Sequence, residues 1–128
     1  MRWPAAALCA CLAVIAGCGD DEGESKRLVR VAAGEPIRVT AKEYSFDPGR
    51  VVVSGKAAEL RITLDNRGTL AHDLRVLDGG RELGGTPSFP AGERRGARVT
   101  VQPGRYRFVC TVADHRELGM EGELEVGG

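Results

Sequence analysis

Three side chains able to donate an electron pair to a soft metal ion fall in one short stretch, Cys110, His115 and Met120, spaced Cys-x4-His-x4-Met. They offer a thiolate, an imidazole and a thioether. The chain has one other histidine, His72. Met1, Cys9, Cys11 and Cys18 lie in an N-terminal segment that reads as a leader and its junction, so the domain behind it keeps His72, Cys110, His115 and Met120 and no further residue of these types. Two imidazoles, one thiolate and a weak, long thioether bond form the donor set with which proteins hold copper for one-electron transfer.

Each residue also has a plainer reading. A lone buried cysteine is usually a small hydrophobe, a histidine at a strand end is usually solvated or hydrogen-bonded, and a methionine before a strand is usually packing. Zinc could take the cysteine and two histidines with one position open, but it gains little from a thioether and leaves Met120 unused. A binuclear copper site needs a second thiolate beside Cys110, and the domain has none. A cysteine–histidine nucleophile needs a residue to orient its base, for which Asp114 is the one nearby candidate. The four donors taken together, in the order His, Cys, His, Met, favour copper.

The elements that must position these groups are strands. From Leu28 onward apolar residues recur with period two: Ile37, Val39 and Ala41 against Arg38, Thr40 and Lys42, then Leu60, Ile62 and Leu64 against Arg61, Thr63 and Asp65. Val51-Val52-Val53 is a β-branched run after the turn signal Asp47-Pro48-Gly49. The same parity sets His72 on a face with Leu74 and Val76, with Asp73 and Arg75 pointing away. It sets Cys110 with Tyr106 and Phe108, and Met120 with Gly122, Leu124 and Val126. All three strand-end donors therefore converge on one end of a core. Leu77 to Gly92, interrupted by Gly79-Gly80, Gly84-Gly85, Pro87 and Pro90, reads as a long irregular loop. No segment carries a helical period. Seven or eight short strands between Gly/Pro turns predict an all-β Greek-key sandwich.

The 128 residues suffice for one domain. Lysine and arginine balance aspartate and glutamate at 18 each, so no basic patch for a nucleic-acid partner is expected. Residues 1–17, with Arg2 ahead of the apolar run Ala5 to Ala16, read as a signal peptide too short to span a bilayer. Ile15-Ala16-Gly17-Cys18 resembles the lipobox of bacterial lipoproteins, which implies a lipidated Cys18 and anchorage on the extracytoplasmic face of a membrane. Residues 18–27 are polar and charged and read as a flexible tether, and residues 28–128 as the domain.

Residues 30 to 127 resemble the cupredoxins, the small blue-copper proteins. The resemblance rests on Glu43-Tyr44-Ser45-Phe46-Asp47-Pro48, on Asn66 leading to His72-Asp73, on Pro103-Gly104-Arg105-Tyr106-Arg107-Phe108-Val109-Cys110, and on His115-x4-Met120-Glu121-Gly122. It implies one type 1 copper ion, with His72, Cys110 and His115 as equatorial ligands and Met120 as the axial one. The family often has asparagine directly after its first ligand histidine, where the side chain braces the ligand loop; Asp73 stands there in this chain. The function implied is a monomeric, membrane-tethered one-electron carrier, not an enzyme, serving a redox partner protein. Electrons would leave through His115, with Leu70 and Leu118 as apolar neighbours. The alternative is a lipoprotein that binds or delivers copper without redox turnover, and a third reading is a protein-binding module that carries copper incidentally.

Overall fold

The computed structural model describes residues 25–127. The expected signal peptide, the lipidation site Cys18 and most of the expected tether lie outside these residues. At its edge, Lys26 Nζ donates to the Glu121 carbonyl at 2.6 Å and Arg27 pairs with Asp47 at 2.7 Å, so the last two tether positions already bond to the domain. Among the described residues no helix is long and apolar enough to cross a membrane.

Ten strands form two sheets. Strands β1 (Leu28–Ala32), β4 (Arg50–Ser54), β6 (Arg75–Asp78), β7 (Arg81–Gly85), β9 (Gly104–Val109) and β10 (Glu121–Val126) make the larger, ordered β1-β4-β10-β9-β6-β7. The smaller, ordered β3-β2-β5-β8, contains β2 (Ile37–Lys42), β3 (Ser45–Asp47), β5 (Glu59–Asn66) and β8 (Arg94–Thr100). The chain passes repeatedly from one sheet to the other, and the pairs β1–β4, β4–β10 and β2–β5 are consequently parallel. This is the expected all-β sandwich.

Period-two alternation governs the packing. In β2 the buried residues are Ile37, Val39 and Ala41, in β5 Leu60, Ile62, Leu64 and Asn66, and in β10 Gly122, Leu124 and Val126. Their side chains meet between the sheets, where the Phe46 and Phe108 rings pack at 5.4 Å and 59°. One-sided burial also locks register, since a slip of one residue would turn every apolar side chain outward.

The segment from Leu77 to Gly92 departs from expectation. Its first half is not a loop but the β6–β7 hairpin, turned at Gly79-Gly80 and kinked where the register shifts between Val76 and Leu77. Glycine density suggested irregularity, yet it is what lets the hairpin close: Gly85 lies at φ 149°, and a Cβ there would stand 2.9 Å from the Arg75 Cα. The second half, residues 86–93, does run as a loop, crossing from β7 in the larger sheet to β8 in the smaller with Phe89 bridged to His72. This hairpin and the three-residue β3 raise the strand count above the seven or eight expected.

Gly122 has a packing role that predicts a measurable cost. A Cβ on it would overlap the Phe108 ring and come within 2.8 Å of the Gly49 carbonyl oxygen, which is backbone and cannot swing aside. Gly122→Ala is expected to destabilise the domain by about 1–3 kcal/mol, the usual cost of overpacking a core. Urea unfolding followed by tryptophan-independent far-UV circular dichroism checks this, and an unchanged midpoint would refute it.

Candidate metal centre

His72, Cys110 and His115 come together at one end of the sandwich, and all three are buried. Their donor atoms lie within 4.8 Å of one another. His72 arrives from the β5–β6 run and Cys110 and His115 from the β9–β10 loop, and all three are held by backbone bonds.

His72 lies on the run from β5 to β6. Its amide donates to the Phe89 carbonyl at 3.2 Å and its carbonyl accepts from the Phe89 amide at 3.1 Å, which pins it to the 86–93 loop. Thr86 Oγ1 accepts from the Leu74 amide at 3.0 Å two residues on. At the start of the run the buried Asn66 amide group donates to the Leu70 and Phe89 carbonyls at 3.0 and 3.1 Å and accepts from the Gly68 amide at 3.1 Å. A fully buried amide with these bonds satisfied fixes the course of the chain around it.

Cys110 directly follows β9, and Met120 directly precedes β10. The Cys110 amide donates to the Met120 carbonyl at 3.1 Å, continuing the β9–β10 ladder past both strand ends. Between them the chain closes into a tight loop: His115 donates to Val112 at 3.1 Å, and Met120 donates to the His115 carbonyl at 3.0 Å. Cysteine, histidine and methionine are thus spaced by one closed loop. Met120 is fully buried beside the other three.

Cys110 Sγ stands 3.6 Å from His115 Nδ1 and 3.9 Å from His72 Nδ1. The two imidazoles lie 5.0 Å apart at 55°, and the Tyr44 ring covers His115 at 5.0 Å and 58°. Burial pushes the Cys110 thiol above its ordinary range, while the amides of Asp73 and Val112 pull the other way by hydrogen bonding to the sulfur. A nucleophilic cysteine needs the opposite, a depressed pKa and an exposed sulfur, and this sulfur has no exposed surface. Asp114, the sequence candidate for orienting a base, is exposed, and its carbonyl serves Leu118 instead. A surface concavity of about 560 Å³ is lined by residues such as Arg50, Tyr106 and Glu123 and by none of the four donors.

Two carboxylates flank the centre. Asp73, expected to point away, is buried; its carboxylate accepts from the Thr111 amide at 2.6 Å and from the Thr111 hydroxyl. It therefore ties the His72 segment to the residue after Cys110, the bracing place where the resemblance led one to expect asparagine. Glu43 was not singled out from the sequence as a site residue. Its Oε1 lies 3.0 Å from His72 Nε2 and accepts from the Thr69 and Leu70 amides at 2.8 Å each. The Leu70 and Thr69 amides, with a smaller contribution from His72, hold its pKa down to about 2. Strand parity carried the signal: Glu43 continues the inward series Ile37, Val39, Ala41.

The donor chemistry fits copper. Nδ1 of both histidines faces the sulfur, so two nitrogens and one thiolate would hold a single soft ion, with the buried thioether of Met120 as a further donor. By sequence the chain matches no family model and no curated protein. By structure it is similar to auracyanin from the photosynthetic bacterium Roseiflexus castenholzii at 19% identity and TM-score 0.65, covering 75% of this chain and 99% of that one. It is also similar to rusticyanin from Thiobacillus ferrooxidans at 19% identity and TM-score 0.58, covering 76% and 81%. A third likeness is to an azurin from Methylomonas sp. strain J at 15% identity and TM-score 0.65, covering 75% and 100%. The fold is that of the cupredoxins. On it, this chain assembles a buried His–Cys–His cluster with a methionine beside it, at the end of the sandwich where β9 and β10 leave their ladder.

Proposed function

We propose that the protein is a one-electron carrier holding a single type 1 copper ion by His72 Nδ1, Cys110 Sγ, His115 Nδ1 and the Met120 sulfur. The observation that carries this reading is the meeting of three buried donor atoms within 4.8 Å on a cupredoxin sandwich. Bound there, copper supplies a one-electron couple whose two states both accept thiolate, imidazole and thioether. The protein's own part is to hold these donors still. Backbone bonds from Phe89, Met120 and Val112 fix the three ligand segments, so little has to move when charge is gained or lost. Burial of Cys110 and Met120 keeps water from the sulfur ligands.

The ligand assignment makes separable predictions. Cys110→Ser is expected to abolish the intense visible thiolate-to-copper band. Met120→Leu is expected to retain copper and colour while raising the reduction potential, because a weak thioether bond would modestly favour Cu(II). Optical and EPR spectra of the Cu(II)-loaded domain and its variants check both. A weakly coloured wild-type complex with wide copper hyperfine splitting would instead identify a copper-binding or copper-delivery protein.

The domain is proposed to sit on the extracytoplasmic face of a bacterial membrane, anchored through lipidated Cys18; the support is the Ile15-Ala16-Gly17-Cys18 sequence. Cys18→Ala is expected to end incorporation of a fatty-acid analogue in a bacterial host. Wild-type protein that takes up no label would rule the anchor out.

A redox partner protein is proposed to dock over His115. Tyr44, Leu70 and Leu118 are exposed apolar side chains, and each stands on a segment that borders the centre. A small apolar patch of this kind suits brief encounters. Leu118→Lys is expected to slow electron self-exchange while leaving spectrum and potential unchanged. Equal exchange rates would remove Leu118 from the electron route.

A further inference from the structure

We propose that Glu43 is a positioning residue for the metal centre: its carboxylate fixes His72 with hydrogen on Nε2 and the lone pair on Nδ1, and its charge stabilises the oxidised ion. The inference rests on the carrier reading above for its effect on copper, and on the protein alone for its effect on the ring.

The geometry is specific. His72 Nε2 has Glu43 Oε1 at 3.0 Å, and an ionised carboxylate can only accept, so a neutral ring must carry its hydrogen on Nε2. That leaves Nδ1 as the free donor, and Nδ1 is the atom facing Cys110 Sγ at 3.9 Å. Glu43 is itself held from two sides. The Thr69 and Leu70 amides donate to the same oxygen at 2.8 Å each, so the carboxylate stays ionised and its position is set by backbone. Gly68 supplies the space, since a Cβ there would lie 2.9 Å from the Glu43 Cδ and collide with Oε1. Asn66 Oδ1, accepting from the Gly68 amide at 3.1 Å, keeps that turn in place. The result is a built cradle for one carboxylate on the outer nitrogen of one ligand.

A carboxylate hydrogen-bonded to the far nitrogen of a metal-bound imidazole orients the ring and makes it a more basic ligand. A more basic ligand, with a full negative charge behind it, favours Cu(II) over Cu(I). The Glu43 side chain is about one-quarter exposed, so solvent screens the charge only in part.

Two substitutions test this in different ways. Glu43→Gln keeps an oxygen acceptor for the three donors and removes only the charge. Gly68→Ala keeps the charge and displaces it. Both are expected to weaken Cu(II) binding relative to Cu(I) by about tenfold, the lower end of the effect of losing such a partner; for one electron this is about 59 mV upward in potential. The visible band and the copper hyperfine splitting should persist in Glu43→Gln, and the double variant should add little to either single one, since both act through one contact. In the metal-free protein, long-range 1H–15N spectra should find His72 with its proton on Nε2 in the wild type and in Glu43→Gln, and a mixture of tautomers in Gly68→Ala. A potential unchanged or lowered in Glu43→Gln, with a normal blue band, would overturn the charge effect while leaving the carrier reading intact. A wild-type ring protonated on Nδ1 would overturn the positioning role outright. A wild-type protein that gives no blue band would end the carrier reading, and the tautomer measurement would still decide for or against Glu43 as the group that orients His72.

Discussion

Electron-pair donors crowded into one buried space do not attract each other. Within 4.8 Å at the end of this sandwich lie two imidazole nitrogens and a sulfur, with no exposed surface on His72 or Cys110. Each would be better solvated apart, and burying polar groups without partners is costly. The cluster persists because it is over-determined by bonds that have nothing to do with a metal. His72 is clamped to Phe89 by two backbone bonds, and Cys110 to Met120 by the extension of a ladder. The scaffold's stability is thereby spent on holding a geometry ready, which is the general condition for a site in which a charge change should move few atoms.

Buried polar side chains do much of this holding. Asn66, Thr86 and Asp73 are all nearly or fully buried, and each joins two pieces of chain around the centre. Asn66 spans the turn after β5 and the loop after β7, Thr86 spans that loop and Leu74, and Asp73 spans the His72 and Cys110 segments. Removing one partner from such a pair leaves the other unsatisfied, at roughly 1–3 kcal/mol for a neutral group. The ligand end is therefore more tightly specified than its loop content implies.

The two flanking carboxylates divide the electrostatics. Asp73 reaches Thr111, next to the cysteine, and Glu43 reaches the outer nitrogen of His72. Asp73 is buried, whereas the Glu43 side chain is about one-quarter exposed, so solvent screens the second charge more than the first.

Much of this was legible along the chain. Period two in β2, β5 and β10 defined their inner faces, because a half-buried strand must alternate whatever it packs against. The four donors were legible because each is chemically rare in this sequence, and because Cys110 to Met120 is a local loop whose spacing the fold preserves. What only the tertiary structure decided depends on contacts distant in sequence. The hairpin of β6 and β7 was hidden because glycine marks both loops and tight pairing, and only its neighbour β9 distinguishes them. Asp73 is polar and of outward parity, yet it is buried because Thr111 offers two donors across 38 residues. Glu43 meets His72 across 29 residues beside a turn that the buried Asn66 amide group braces at Gly68 and Leu70. Residue types named the chemistry of the centre; which charges stand against its ligands followed from the register of the sheets.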